Sequence, residues 1–151
     1  TTWSMSKSPG LAGMRVGGVI CNPKLMKDIF TLRPNQLGSN LPAQRAAASC
    51  LSFKDNWLPG LLDVVETNRS YIYQNLEVGG CPQPDRSNSV WIDFPKEHNS
   101  STVTAALKEK NLMVRDGIYY KAWGYTGNFI KVGTAVPPEW IEELVHELNM
   151  L

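Results

Sequence analysis

The chain has little with which to tie a fold together except packing. Its 151 residues include only three cysteines, Cys21, Cys50 and Cys81, and two histidines, His98 and His146. An odd number of widely spaced cysteines argues against a disulfide framework and fits reduced thiols in a cytoplasmic protein. With no close Cys/His pairing, no metal site is expected. Long apolar runs are also missing, so neither a transmembrane helix nor a signal peptide is expected. Nor is there a long run of one charge. Fifteen Lys and Arg against fourteen Asp and Glu leave a formal net charge of +1. That balance points to neither nucleic acid nor an anionic membrane surface as a partner.

What remains is ordinary globular material. The hydrophobic fraction is 42% and the charged fraction 19%, as in soluble domains. The length suits one domain or two small units with a real core. Residues 1–5 are β-rich and predict the end of a strand, with Lys7 at or just beyond it. Met14 to Cys21 predicts a second strand, its Val and Ile content suggesting burial on both faces. Asn22-Pro23 opens a helix that should stop before Pro34. Ser39 or Asn40 caps a second helix from Leu41 to about Phe53. After a break over residues 55–60, a third and longer helix should carry Leu61, Leu62, Val65, Tyr71, Ile72 and Leu76.

Gly79-Gly80-Cys81-Pro82-Gln83-Pro84 reads as a linker, which divides the chain into 1–78 and 79–151. Beyond it, Ser89 to Phe94 alternates as a strand, and Ser100 to Asn111 is a capped helix with Val103, Ala106 and Leu107 inward. Leu112–Arg115 and Asn128–Val136 predict two further strands. A final amphipathic helix follows Pro137-Pro138 and bears Trp140, Ile141, Leu144, Val145 and Leu148. The tail is therefore an α+β unit. Trp57, Trp91, Trp123 and Trp140 are read as core or interface anchors.

The segment with chemical content is Ser4-Met5-Ser6-Lys7-Ser8-Pro9-Gly10-Leu11-Ala12-Gly13-Met14-Arg15. A Gly/Pro loop separates one amine from one guanidinium and can bring both to a single anion-binding hollow. Lysine is a nucleophile when its charge is disfavoured by burial or a neighbouring cation, and Arg15 would supply part of that. Arginine grips phosphate through two parallel hydrogen bonds, and Ser4, Ser6 and Ser8 are short donors for its oxygens. The same residues also suit a plain solvated loop. A Ser/Lys hydrolase built on Ser4 and Lys7 would need an oxyanion hole, and none is identifiable.

Ser4-x-Ser6-Lys7 followed by Gly10-Leu-Ala-Gly-Met-Arg-Val-Gly17 resembles the cofactor-lysine segment of the class I/II aminotransferases. The likeness is to the branch that contains histidinol-phosphate aminotransferase and threonine-phosphate decarboxylase. It continues through Leu37-Gly38-Ser39-Asn40-Leu41-Pro42-Ala43-Gln44-Arg45-Ala46-Ala47, then Asn88-Ser89-Val90-Trp91-Ile92. It runs on through Leu112-Met113-Val114-Arg115-Asp116-Gly117 and Ile130-Lys131-Val132-Gly133-Thr134. The resemblance implies the C-terminal part of a fold-type-I, pyridoxal-phosphate-dependent transferase. Residues 1–78 would end the large α/β domain, and 79–151 would form the small α+β domain.

It further implies that Lys7 carries pyridoxal 5'-phosphate as an aldimine and shuttles the substrate proton, while Arg15 and Ser4 hold the phosphate. Ser39 and Asn40 fall near a segment that in some relatives approaches a partner subunit, although capping explains both. The implied reaction moves an amino group between an amino acid or amine and a 2-oxo acid, in a cytoplasmic homodimer. Phe129 stands where the family has its substrate-carboxylate arginine. A phenyl ring cannot form a charged fork, so Lys131, two residues on along the same face, or Arg115 would have to serve. That departure keeps a decarboxylase or lyase of the same fold open as an alternative. The family's ring-nitrogen aspartate, stacking aromatic and remaining phosphate ligands would lie upstream of Thr1, so the chain alone is expected not to transaminate. A non-catalytic interaction fragment is the remaining alternative.

Overall fold

The computed structural model describes residues 1–32, 38–82, 87–125 and 127–151. The chain divides into two compact units, Thr1–Gly60 and Leu61–Leu151.

The first unit contains β1 (Thr2–Ser4), β2 (Gly17–Val19), α1 (Pro23–Leu32), α2 (Leu41–Ser52) and the start of α3 (Lys54–Asn75). β1 and β2 pair antiparallel, with Thr2 opposite Val19 and Ser4 opposite Gly17. The hairpin packs very closely, because a side chain at Gly18 would meet the Trp3 indole at 2.5 Å. The expected doubly buried strand from Met14 to Cys21 is therefore corrected. β2 is shorter, and every position is at least partly exposed, since within this unit its only strand partner is β1.

Helix starts follow local chemistry. Asn22 Oδ1 accepts the Leu25 amide at 2.9 Å, and Asn40 Oδ1 accepts the Ala43 amide at 2.8 Å, each satisfying an otherwise orphaned first-turn donor. Ala43 and Ala47, one turn apart on α2, are buried with Met5 and Val16 as the unit's small core. The expected break over residues 55–60 does not occur, and α3 runs on through Pro59. Proline removes one hydrogen bond of the helix, but the start of α3 is held from elsewhere. Trp57 Nε1 donates to the Cys50 carbonyl at 3.0 Å, and the Asn56 amide donates to that of Phe53 at 3.0 Å.

The second unit contains the rest of α3, β3 (Ser89–Asp93), α4 (Ser100–Glu109), β4 (Arg115–Asp116), β5 (Phe129–Gly133) and α5 (Pro138–Asn149). The sheet order is β3-β5-β4, with both pairings antiparallel. Alternation puts Val90, Ile92, Ile130 and Val132 on one face. There they join Ile72, Val103, Leu107, Ile141, Leu144, Val145 and Leu148 in one continuous core. Ala106 is exposed rather than inward, as is Trp140, at 57%, because each falls off its helix's buried stripe.

Two asparagines tie this unit across long sequence separations. Asn68 Nδ2, on α3, donates to the carbonyls of Thr134 and Val136 at 2.9 and 2.8 Å. Asn128 Oδ1 accepts the Ser100 amide at 2.8 Å, while its Nδ2 donates to the carbonyls of Pro95 and His98. The two compact units meet at Gly60 and Leu61, and beyond that point Val65, Asn68, Arg69 and Ile72 of α3 are buried. Gly79-Gly80 is not a free tether. Gly80 exchanges two backbone hydrogen bonds with Asp93, at 2.8 and 2.7 Å, which adds a bridge beside β3. The remainder of the expected linker, residues 83–86, lies outside the described residues.

Candidate active site

Ser4, Lys7 and Arg15 sit at one end of the β1–β2 hairpin. Met5 and Val16, both buried, pin the two ends of the intervening loop, and the Met5 amide donates to the Val16 carbonyl at 3.1 Å. Lys7 lies two residues beyond one pin and Arg15 one residue before the other. Within the loop, the Leu11 amide returns to the Met5 carbonyl at 2.9 Å, and the Gly10 amide closes a tight turn onto the Lys7 carbonyl at 3.0 Å. Gly10 has φ +70, a conformation that favours glycine.

Arg15 adopts a left-handed backbone, φ 51, which costs a non-glycine residue about 1–2 kcal/mol. Its Nη1 donates to the Ala12 carbonyl at 2.9 Å, which orients the guanidinium and leaves other N–H groups free. Ser4 Oγ accepts the Ser6 amide at 3.1 Å and keeps its own proton to donate. Lys7 and Arg15 are exposed, and neither is among the ion pairs of the described residues. An amine and an oriented guanidinium on the loop, and a hydroxyl at the strand end that leads into it, with no ion pair to them among the described residues, form a donor set that fits a phosphorylated aldehyde.

Phe129 and Lys131 belong to the other unit, on β5. Phe129 is only 2% exposed and stacks on Trp91 with centroids 4.6 Å apart and planes 17° from parallel. It is a packing residue, and its ring makes no polar contact. Lys131 is half-buried and lies in register between Trp91 of β3 and Arg115 of β4. Among the tryptophans expected to be anchors, Trp123 is 79% exposed.

Asp116, quoted in the sequence only as part of a motif, is a hub. It accepts hydrogen bonds from the Ser100 and Ser101 hydroxyls and from the Ile118 amide. Burial raises its pKa, but those bonds and the charge of Lys121 outweigh burial and hold the carboxyl below its ordinary value. The signal available beforehand was an Asp preceding a Gly and facing Ser-Ser at a helix start. Cys81 behaves oppositely. Burial first, then the Asp93 charge, push its thiol up to about 11, against a smaller opposing effect of Arg69.

The hairpin with its lysine loop, and the antiparallel sheet covered by helices, are built as in fold-type-I pyridoxal-phosphate-dependent enzymes. A structure of an aminotransferase from Staphylococcus aureus matches 99% of this chain over 40% of its own length, at TM-score 0.79 and 23% identity. Cystalysin from Treponema denticola, whose structure contains a pyridoxal 5'-phosphate cofactor, matches 99% of the chain over 40% of its own, at TM-score 0.77 and 22% identity. The family model for aminotransferase class I and II covers residues 1–148, and the chain belongs to that family. Histidinol-phosphate aminotransferase 1 of Oceanobacillus iheyensis is 29% identical over 150 residues, 97% of this chain. The chain spans about 40% of the length of that relative.

Proposed function

We propose that this chain is part of a pyridoxal-phosphate-dependent aminotransferase, with the cofactor attached at Lys7. The observation that supports this reading is that the end of β1 and the pinned loop after it carry Ser4, Lys7 and Arg15, with no ion pair to any of them among the described residues. When bound, pyridoxal phosphate supplies an electron sink for negative charge at the substrate α-carbon. The Lys7 amine is the covalent attachment point and, once released, the general base that moves the α-proton. Arg15 holds phosphate through a two-point fork, and the Ser4 hydroxyl donates a further bond. In the second unit, Lys131 of β5 is the candidate group for a substrate carboxylate, and Phe129, buried against Trp91, supports that strand by packing.

In this reading residues 1–78 end the large domain and 79–151 form the small one. The substrates are an amino acid or amine and a 2-oxo acid, and the partner is a second copy of the chain. The unpaired thiols of Cys21, Cys50 and Cys81 suit a cytoplasmic setting. No helix of the described residues is long and apolar enough to cross a membrane, and the near-neutral net charge gives no overall attraction to nucleic acid.

The test is an absorbance titration with pyridoxal phosphate, followed by borohydride reduction and peptide mapping. A single adduct at Lys7 is expected, absent in Lys7→Ala and formed with about ten-fold weaker affinity in Arg15→Ala. Label scattered over surface lysines, unchanged by either substitution, would refute the assignment.

A further inference from the structure

The face of the three-stranded sheet opposite the core carries an arrangement that packing does not explain. Strand register places Trp91, Lys131 and Arg115 in one row across β3, β5 and β4. Directly opposite residues share a face, and adjacent strands lie about 4.8 Å apart. Lys131 and Arg115 are thus like charges side by side, a destabilising placement. No ion pair of the described residues relieves it, since those pairs are Lys54–Asp55, Arg69–Glu66 and Lys110–Glu147. What the two cations have is aromatic company. Lys131 Nζ is 5.9 Å from the centroid of Tyr120, and the Arg115 guanidinium is 5.0 Å from that of Tyr119.

The third member of the row is a half-buried ring. Trp91 stacks on Phe129 and has Tyr120 and Tyr125 tilted against it, both at 5.3 Å. These neighbours hold the indole in place but leave part of it open. Across three strands the face therefore presents a fixed aromatic plate, an ammonium and a guanidinium, in that order. Asp93 shares that face, diagonal to Lys131, but forms no ion pair with either cation among the described residues; the two adjacent cations therefore select an anion, and the plate beside them selects a flat apolar group. One molecule that carries both would neutralise the cations and cover the ring.

We propose that the Trp91–Lys131–Arg115 row is a binding site for a small aromatic carboxylate. The ligand's ring stacks on Trp91 and its carboxylate bridges Lys131 and Arg115. As a statement about substrate, this rests on the aminotransferase reading and names an aromatic amino acid or aryl 2-oxo acid. As a binding site it needs neither cofactor nor Lys7. Phe129 then acts by backing the plate rather than by touching the ligand.

The experiment is a nitrogen-15 correlation spectrum of the 151-residue chain, titrated separately with indole-3-acetate, indole and succinate. Indole-3-acetate should shift the Trp91 indole N–H and the Lys131 amide saturably, with about ten-fold higher affinity than either other probe. Lys131→Met and Arg115→Met, each with an otherwise unchanged spectrum, should weaken it about five-fold or more. Equal binding of succinate would overturn the proposal in favour of a plain anion site. Equal binding of indole, or indifference to both substitutions, would overturn it too. Failure of the cofactor reading would appear elsewhere, as the missing Lys7 adduct, and would leave these shifts intact.

Discussion

Residues 1–60 and 61–151 build cores of very different size. The first unit buries Met5, Val16, Ala43 and Ala47 while Ile20, Leu25, Phe30, Leu32, Leu41 and Phe53 stay exposed. The second gathers twelve buried residues, Phe94 just after β3 and the rest from a sheet and three helices, into one core and crosses it with Asn68 and Asn128. Yet the poorly buried unit carries Lys7, the proposed cofactor amine, and Arg15 with its left-handed backbone. The lesson is that chemistry on a loop needs only its ends held. Met5 and Val16 do that with two side chains, whereas the proposed Trp91–Lys131–Arg115 row needs three strands in register. Separating the two tasks lets each unit be judged by a different measurement.

The largest effect is expected from Leu148→Ala, which empties a fully buried position of the second core. It should cost about 3 kcal/mol, read as a lowered urea midpoint and as lost amide protection at Ile130 and Val132. If Ala43 and Ala47 amides of the wild-type chain prove as protected as those two, the contrast between the units is broken. Next comes Asp116→Asn, which disrupts three hydrogen bonds and should cost about 2 kcal/mol at neutral pH. Because the folded carboxyl titrates below its ordinary value, its contribution is complete above the unfolded value of about 3.9. It then disappears as the pH falls through the lower folded value. The gap between wild type and variant should therefore close in acid, and a gap unchanged down to pH 2, a value about two units below that, would contradict the assignment. The smallest effect is Asn40→Ala, about 1 kcal/mol from one lost helix cap. It should appear as faster exchange at the first turn of α2, with the second unit's protection unaltered. A comparable change in the second unit would show that the two do not respond separately.

Much of this was legible locally. Asn22, Asn40 and the Pro138 start announced their helices because capping depends on residues three or four apart. The Ser4–Lys7–Arg15 pattern was legible because one short stretch of sequence contains it. Other features were not. The unbroken start of α3 depends on Trp57 reaching Cys50, and Gly79-Gly80 is structured only because Asp93 returns beside Gly80. Both involve partners that local pattern does not specify.

The amino-acid order thus determined the helices, the alternation of β3 and β5, and the Lys7 loop, all consequences of neighbours within a few positions. Tertiary structure decided which residues share a surface. Phe129 became a buried plate support, Lys131 came to lie against Arg115, and Asn68 found two carbonyls more than sixty positions away. Strand register and long-range burial are set by the balance of the whole core, and no short window of sequence contains that balance.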